Sequence, residues 1–129
     1  MIEVLFSPEA ERTMRTIEKN RTLLIIGSDK NRHAVNNILY YELSDKVLHD
    51  YGESELTNAF NVAKEFGVRG AFLLNVKDKR DYIDVFTMLK QYDFAYIAPV
   101  NLYASDYFYD LNDKEKKKYF VNDYINRSA

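Results

Sequence analysis

Residues 23–27 read LLIIG, an unbroken apolar run that ends at a glycine. A strand with one solvated face alternates apolar and polar side chains, whereas a strand covered on both faces is apolar throughout. Two further runs of this kind follow, AFLLNV at residues 71–76 and FAYIA at residues 94–98. All three predict strands in the middle of a sheet, with other layers of structure on both sides.

Two further apolar runs predict strands at Met1–Phe6 and Ile38–Leu43. Helices are predicted between the strands. Ser7 and Pro8 form a helix start, because serine caps the first turn and proline suits the first helical position. We expect this helix to reach about Lys19, with Ala10, Met14 and Ile17 on one face.

The middle of the chain predicts two consecutive helices, each closed by a glycine that favours the left-handed conformation. The first begins with Ser44 as its N-cap and ends at Gly52, and its apolar face is Val47, Leu48 and Tyr51. The second begins at about Ser54 and ends at Gly67, and its apolar face is Leu56, Ala59, Phe60, Ala63 and Phe66. A further helix is predicted from Lys79 to Gln91.

Apolar strands that alternate with amphipathic helices are typical of an α/β fold. We therefore predict a three-layer sandwich, with a mostly parallel sheet and helices on both faces. The chain has 129 residues and contains no linker, repeat or low-complexity block, so residues 1–129 are predicted to form a single α/β domain.

Composition argues against several classes of function. The net charge is -2, whereas proteins that bind phosphate backbones usually carry a basic excess, so no nucleic-acid partner is expected. The absence of cysteine removes disulfides and thiolate chemistry. No apolar run is long enough to span a membrane, and the charged N-terminus does not resemble a signal peptide, so no membrane partner is expected.

The strand ends hold few candidate catalytic groups. The loop from Gly27 to His33 could bind a phosphate group, which gives one alternative function, a small nucleotide- or metabolite-binding protein. However, the loop lacks the glycine spacing of known phosphate-binding motifs, and an ordinary turn is the simpler interpretation. Asp78 is interpreted as a helix cap, and His33 and His49 as isolated surface residues. We predict no catalytic residue, metal ligand or cofactor.

The segment from Asn101 to Leu111 is aromatic without helical or strand periodicity. It predicts either a loop packed on its own domain or a contact surface, whose candidate residues are Tyr103, Tyr107, Phe108 and Tyr109. The second interpretation gives another alternative, a regulatory adapter domain that docks a partner there. A helix is predicted from Asp113 to Arg127, and its charge run Lys114–Lys118 is a solvated face or a contact for an acidic partner.

Several motifs follow one another between Thr22 and Val76. They are Leu23–Gly27 with Ser28, the extended Ile38–Leu43, Ser44-Asp45-Lys46, Tyr51-Gly52, Leu56 with Ala59-Phe60 and Ala63, Phe66-Gly67, and Phe72–Val76. This succession resembles the conserved core of phage contractile-tail sheath proteins. The following segment, Tyr82–Pro99, resembles the helix and strand that come next in that family, so the resemblance covers about three quarters of the chain.

The resemblance implies a structural component of a contractile tail and not an enzyme. Such a protein would form homo-oligomeric rings, contact other tail proteins such as the tail tube, and reside in the virion tail after assembly in the host cytoplasm. It would need no cofactor.

Two features of this chain depart from the family. Sheath proteins are usually much longer, with a C-terminal region and terminal arms that link neighbouring subunits. The chain has no counterpart to that region, and its N-terminal strand and Pro8 helix are unlike the usual arm. We therefore interpret it as a fragment, a truncated relative, or a sheath-like baseplate or tail component, and the linking arms are not carried over.

Overall fold

The computed structural model of the chain describes residues 3–28, 33–78, 81–89, 92 and 94–100. Its elements follow the predicted alternation of strands and helices. In chain order they are β1 Leu5–Phe6, α1 Pro8–Thr16, β2 Leu23–Gly27, β3 Asn37–Tyr41, α2 Ser44–Tyr51, α3 Glu55–Glu65, β4 Ala71–Asn75, α4 Tyr82–Leu89 and β5 Tyr96–Pro99. A single turn of 3-10 helix, Lys19–Arg21, leads from α1 into β2.

The strands form one mixed sheet in the order β1-β3-β4-β2-β5. The interior strand β2 runs parallel to both of its neighbours, β4 and β5. β3 runs antiparallel to β4, and β1 pairs with β3 in parallel. Most pairings are therefore parallel, and the predicted α/β fold class is confirmed.

The apolar side chains of the central strands alternate between two cores, because successive residues of a strand point to opposite faces. On one face, Leu24 and Ile26 of β2 lie in a cluster that also contains residues of α1 and α4. On the other face, Ile25 of β2 and Leu73 of β4 lie in a cluster that contains residues of α2 and α3. The sheet is thus the middle layer of three.

Two glycines end helices as predicted. Gly52 has a φ of 68° and its amide donates to the Leu48 carbonyl. Gly67 has a φ of 91°, and its amide donates to the Lys64 carbonyl at 3.0 Å, while the amide of the next residue, Val68, donates to an earlier carbonyl of α3. This paired arrangement satisfies the last carbonyls of α3, and the left-handed position favours glycine.

Several predicted boundaries and faces differ from the structure. Leu43, and not Ser44, is the N-cap of α2, and α1 ends at Thr16 and not at Lys19. Leu48 is exposed because the buried positions of α2 are Val47 and Tyr51, four residues apart, and Leu48 lies beside that stripe.

Phe66 differs most from its prediction as a core residue. It follows the last helical residue of α3 as the C-cap, and the chain turns away at Gly67, so the ring leaves the buried stripe and is 84% exposed. Of the helices in the described part of the chain, none combines the length and the apolar character that a membrane crossing requires.

Close packing of α3 on β2 depends on Gly27. A β-carbon at this position would stand 2.6 Å from Cγ of Leu56, which is fully buried. We expect Gly27→Ala to lower the free energy of unfolding by about 1–3 kcal/mol, because an extra methyl group in a filled space forces side chains off their rotamers. Urea denaturation followed by circular dichroism measures this change.

Leu56→Ala provides the control for this explanation. Alone, it should destabilise the fold by about 2–5 kcal/mol through the cavity that it leaves. In the double variant the new alanine at position 27 occupies part of that cavity, so the double variant should be more stable than the sum of the single changes predicts. Strictly additive losses would contradict the proposed contact.

Candidate functional site

The carboxyl ends of β2, β4 and β5 lie at one edge of the sheet, where α/β proteins commonly bind ligands. Between β2 and β5, the buried hydroxyl of Tyr82 lies 3.2 Å from the Ile26 carbonyl oxygen and 3.0 Å from that of Val100. Tyr82 comes from the first turn of α4. The protein's own side chain therefore occupies this crevice and joins the two strand ends.

Next to β4, residues 33–36, which form the described end of the connection from β2 to β3, lie at the same edge. The Asn36 amide donates to the Asn75 carbonyl at 2.8 Å, and the buried Asn75 side chain donates to the His33 carbonyl at 3.4 Å. The Val76 amide donates to the Gly27 carbonyl at 2.8 Å. The two bonds of Asn75 hold residues 33–36 at the end of β4, so this buried side chain has a structural role.

The residues of the predicted loop site are only partly described. Ser28 and His33 are placed, whereas residues 29–32 lie outside the described residues. Packing against Leu56 accounts for the glycine at position 27 without a phosphate group. α4 begins at Tyr82, later than the helix start predicted at Lys79. Asp78 lies four residues before Tyr82, and its backbone carbonyl accepts a hydrogen bond from the Asp81 amide.

Both histidines lie near one carboxylate, that of Asp50 at the end of α2. The Tyr41 hydroxyl donates to Asp50 Oδ2 at 2.7 Å, His33 Nε2 lies 3.8 Å from the same oxygen, and His49 Nδ1 lies 3.1 Å from Oδ1. The His33 ring also meets the Tyr51 ring edge to face. His49 is exposed as predicted, but the histidines are not isolated from each other.

We call these four residues the Asp50 cluster (Asp50, Tyr41, His33 and His49), and hydrogen bonds and charges within it keep the Asp50 carboxyl group ionised. Burial alone would raise the pKa of Asp50, but the bonds from Tyr41 and His49 and the charges of both histidines hold it below 3.8, its ordinary value. Burial and the bond to Asp50 raise the pKa of Tyr41. The cluster therefore links β3, α2 and the connection after β2 through an ionised carboxylate.

The residues that the structure describes contain no group of three or more histidine or acidic side chains that could hold a metal ion. The Asp50 carboxylate is already engaged by a hydroxyl and an imidazole. The contacts of Asp50 with Tyr41 and His33 hold α2 against β3 and the connection after β2, which is a structural role.

A groove of about 1070 Å³ lies at the opposite edge, beside the amino ends of β2 and β5 and the end of β3. We call it the amino-edge groove. It is open to solvent, and its lining combines apolar, aromatic and charged side chains, among them Thr16, Ile17, Arg21, Tyr40, Arg69 and Tyr96.

One wall of this groove is held by Glu42. The Tyr40 hydroxyl donates to Glu42 Oε2 at 3.1 Å, and Arg69 Nε lies 3.3 Å from the same oxygen. Burial and the bond to Glu42 raise the pKa of Tyr40 to about 12. The backbone at Gly70 approaches the Tyr40 hydroxyl and the backbone of Tyr41 closely. A side chain at this position would not fit, since a β-carbon there would stand 2.7 Å from the Tyr41 carbonyl oxygen.

The end of α3 carries an exposed apolar surface that we call the α3 outer patch, formed by Val62 and Phe66. The two residues are four positions apart, and they are 50% and 84% exposed. The sequence prediction missed this patch because Phe66 continues the helical spacing. Its position directly before Gly67 is the signal that could have placed it outside the helix, at the C-cap.

The predicted contact residues Tyr103, Tyr107, Phe108 and Tyr109 lie outside the described residues, as does the predicted helix Asp113–Arg127. The contact surface there stays a prediction. Comparisons with known proteins find no matching family model, no similar curated protein and no similar solved structure.

The lowered pKa of Asp50 predicts a pH-dependent contribution to stability. A carboxyl group whose pKa is lowered by folding stabilises the fold at a pH above its ordinary value of 3.8, and this contribution disappears as the pH falls through the folded value. We expect Asp50→Asn to destabilise the fold by about 1–2 kcal/mol at pH 7, because the neutral amide weakens the hydrogen bonds that the charged carboxylate accepts. The loss is limited because the carboxylate is partly solvated. The difference from the unsubstituted chain should shrink towards pH 3.

Urea denaturation at pH 7 and pH 3 measures both parts of this prediction. Glu53→Gln is the matched control, because Glu53 is an exposed carboxylate close to α2. It should change stability little at either pH. An Asp50→Asn effect of equal size at both pH values would show that the charge of Asp50 is not the cause.

Proposed function

We propose that the chain is a non-enzymatic structural subunit that assembles with copies of itself. We further propose that it is a component of a phage or phage-like contractile tail, related to the sheath proteins that its sequence resembles. Its partners would then be other copies and tail proteins such as the tail tube, in the virion tail. The observation that carries the proposal is the α3 outer patch.

The patch exposes two apolar side chains of α3 and its C-cap to water. Burying a phenylalanine side chain stabilises a fold or a complex by about 1.5–3 kcal/mol. Because the Phe66 ring is exposed in a single copy, an interface that covered it would gain stabilisation of this order. Val62 extends the same surface by one helical turn. Single exposed apolar residues are common, but aromatic residues such as Phe66 are enriched at protein interfaces, which favours a contact site here.

The order of the elements also supports the proposal. The resemblance implies a buried strand, an extended segment, a short helix, a longer helix and a second buried strand. The chain has β2, β3, α2, α3 and β4 in that order, with Gly52 directly after α2 and Gly67 two positions after the last residue of α3. Within the described residues, the bonds of Tyr82 and of Asn36 at the carboxyl ends of the strands favour assembly over ligand binding, because they join the strand ends to the protein's own groups.

Sedimentation velocity over a concentration series tests self-association. The unsubstituted chain should show a sedimentation coefficient that rises with concentration. Replacing Val62 and Phe66 by serine should weaken association by about 30-fold or more, since central aromatic residues of an interface contribute about 2 kcal/mol or more.

Leu5→Ser is the matched control, because Leu5 is an exposed apolar residue on β1 and lies outside the patch. Circular dichroism should show that all variants keep the fold, since the replaced side chains are exposed. A chain that sediments as a single copy at every concentration would contradict the proposal, as would equal association by the Val62/Phe66 variant.

The alternative of nucleotide or metabolite binding predicts a different result. A ligand that binds only the folded state raises the melting temperature. We expect no rise with ATP, GTP or inorganic phosphate at millimolar concentration, because helix packing accounts for Gly27 and Tyr82 fills the neighbouring crevice. A clear rise that Ser28→Ala abolishes would favour the alternative function.

A further inference from the structure

We propose that residues 101–111 fold back onto β5 of the same chain and cover one of its two faces. We call this face the β5 outer face; it consists of Tyr96, Ala98 and Val100. Of the two interpretations of the aromatic segment, this inference selects packing on its own domain. It goes beyond the proposed function and does not use the α3 outer patch.

The helices of the described part of the chain cover β5 on one face. Successive residues of a strand point to opposite faces, and Ile97 is buried in the cluster that contains residues of α1 and α4. Tyr96 and Ala98 point the other way and are exposed, and Val100 is partly buried against the cluster of α2 and α3. On that side α2 packs on β3, and α3 packs mainly on β2 and β4. β5 lies beyond them at the edge of the sheet.

The β5 outer face has the side chains of a covered surface. A strand face that contacts water usually carries polar side chains, whereas this one carries tyrosine, alanine and valine. Tyr96 is 46% exposed although its ring is large enough to contribute to a core. Proteins commonly protect the edge strand of a sheet by laying a helix or a loop over it. We therefore expect a further segment of protein on this face.

The chain that leaves β5 begins beside this face. The Val100 amide donates to the Ile26 carbonyl at 2.7 Å, and the Val100 carbonyl accepts a bond from the Tyr82 hydroxyl at 3.0 Å. These bonds fix the point from which the following residues start. The chain also enters a turn at Val100, which directs those residues away from the line of the strand.

The composition of the chain after β5 matches the surface. More than half of residues 101–111 are large and apolar or aromatic, whereas residues 112–118 are all polar or charged. The six large side chains are Leu102, Tyr103, Tyr107, Phe108, Tyr109 and Leu111. The apolar content is therefore concentrated in the residues closest to β5.

Length and attachment select this segment as the occupant. From Tyr96 to Val100 the face is about 13 Å long at the rise of a strand. Eleven extended residues span up to about 36 Å, so the segment can turn and still run along the whole face. A surface joined to its ligand by a short stretch of chain meets it at an effective concentration of about 1 mM or more. At micromolar protein concentration, the chain's own segment is thus favoured over a second copy.

The reactivity of a thiol on β5 tests this inference in the full chain. Ala98→Cys places a single thiol on the β5 outer face, because the chain contains no cysteine of its own. Its rate of reaction with Ellman's reagent is divided by the rate of the same variant unfolded in urea. We expect this ratio to be about 10-fold or more below that of Leu48→Cys, an exposed position on α2, because the cover must open before the reagent enters.

Substitutions in the segment provide the matched controls. Tyr107→Ser together with Phe108→Ser should raise the reactivity of Ala98→Cys to that of Leu48→Cys. Asp106→Ser together with Asp110→Ser, at polar positions of the same segment, should leave the thiol protected. Circular dichroism checks that each variant is folded. The comparison of Ala98→Cys with Leu48→Cys uses none of these substitutions, so it decides the question even if one of them disturbs the fold.

The outcomes separate this inference from the proposed function. Protection that is equal at about 1 µM and about 100 µM supports a cover from the same chain, whether or not the chain self-associates in sedimentation. A thiol on β5 as reactive as Leu48→Cys would overturn the inference and leave self-assembly standing. Protection only at the higher concentration, or its loss on replacing Val62 and Phe66 by serine, would show that a second copy covers β5. Protection that survives Tyr107→Ser with Phe108→Ser would assign the cover to other residues and overturn the inference.

Discussion

The two-sided burial of β2 and β4 is the constraint on which the rest of the structure depends. Each strand sends apolar side chains to both faces of the sheet, and each such side chain stabilises the fold by about 1.5–3 kcal/mol only if a helix covers it. One helical layer is therefore insufficient. α1 and α4 cover one face, and α2 and α3 cover the other.

Close helix packing then determines which surfaces remain available. Leu56 of α3 approaches Gly27 closely, and the Tyr82 hydroxyl of α4 bonds to carbonyl groups at the ends of β2 and β5. α3 ends at Glu65, where the left-handed Gly67 turns the chain away, and Phe66 is left exposed to solvent.

The strands and helix ends could be predicted because their causes are local. The apolar runs at β2 and β4 and the glycines at positions 52 and 67 carry their information within a few residues. The direction of β3 could not be predicted in this way, since antiparallel pairing with β4 depends on long-range contacts. The Asp50 cluster was missed for the same reason, because His33 approaches the carboxylate across 17 positions of sequence.

The exposure of Phe66 could not be predicted from periodicity, because helical spacing continues to Phe66 although the helix ends one residue before it. This residue links the fold to the proposed function. The patch exists only because the chain leaves the helix at that point, and self-assembly is the use that we propose for it.

Electron microscopy of the purified chain at high concentration tests the central claim most directly. A structural subunit whose copies repeat one contact should form rings, tubes or filaments of regular width. Separate particles of single-copy size at every concentration would contradict the account.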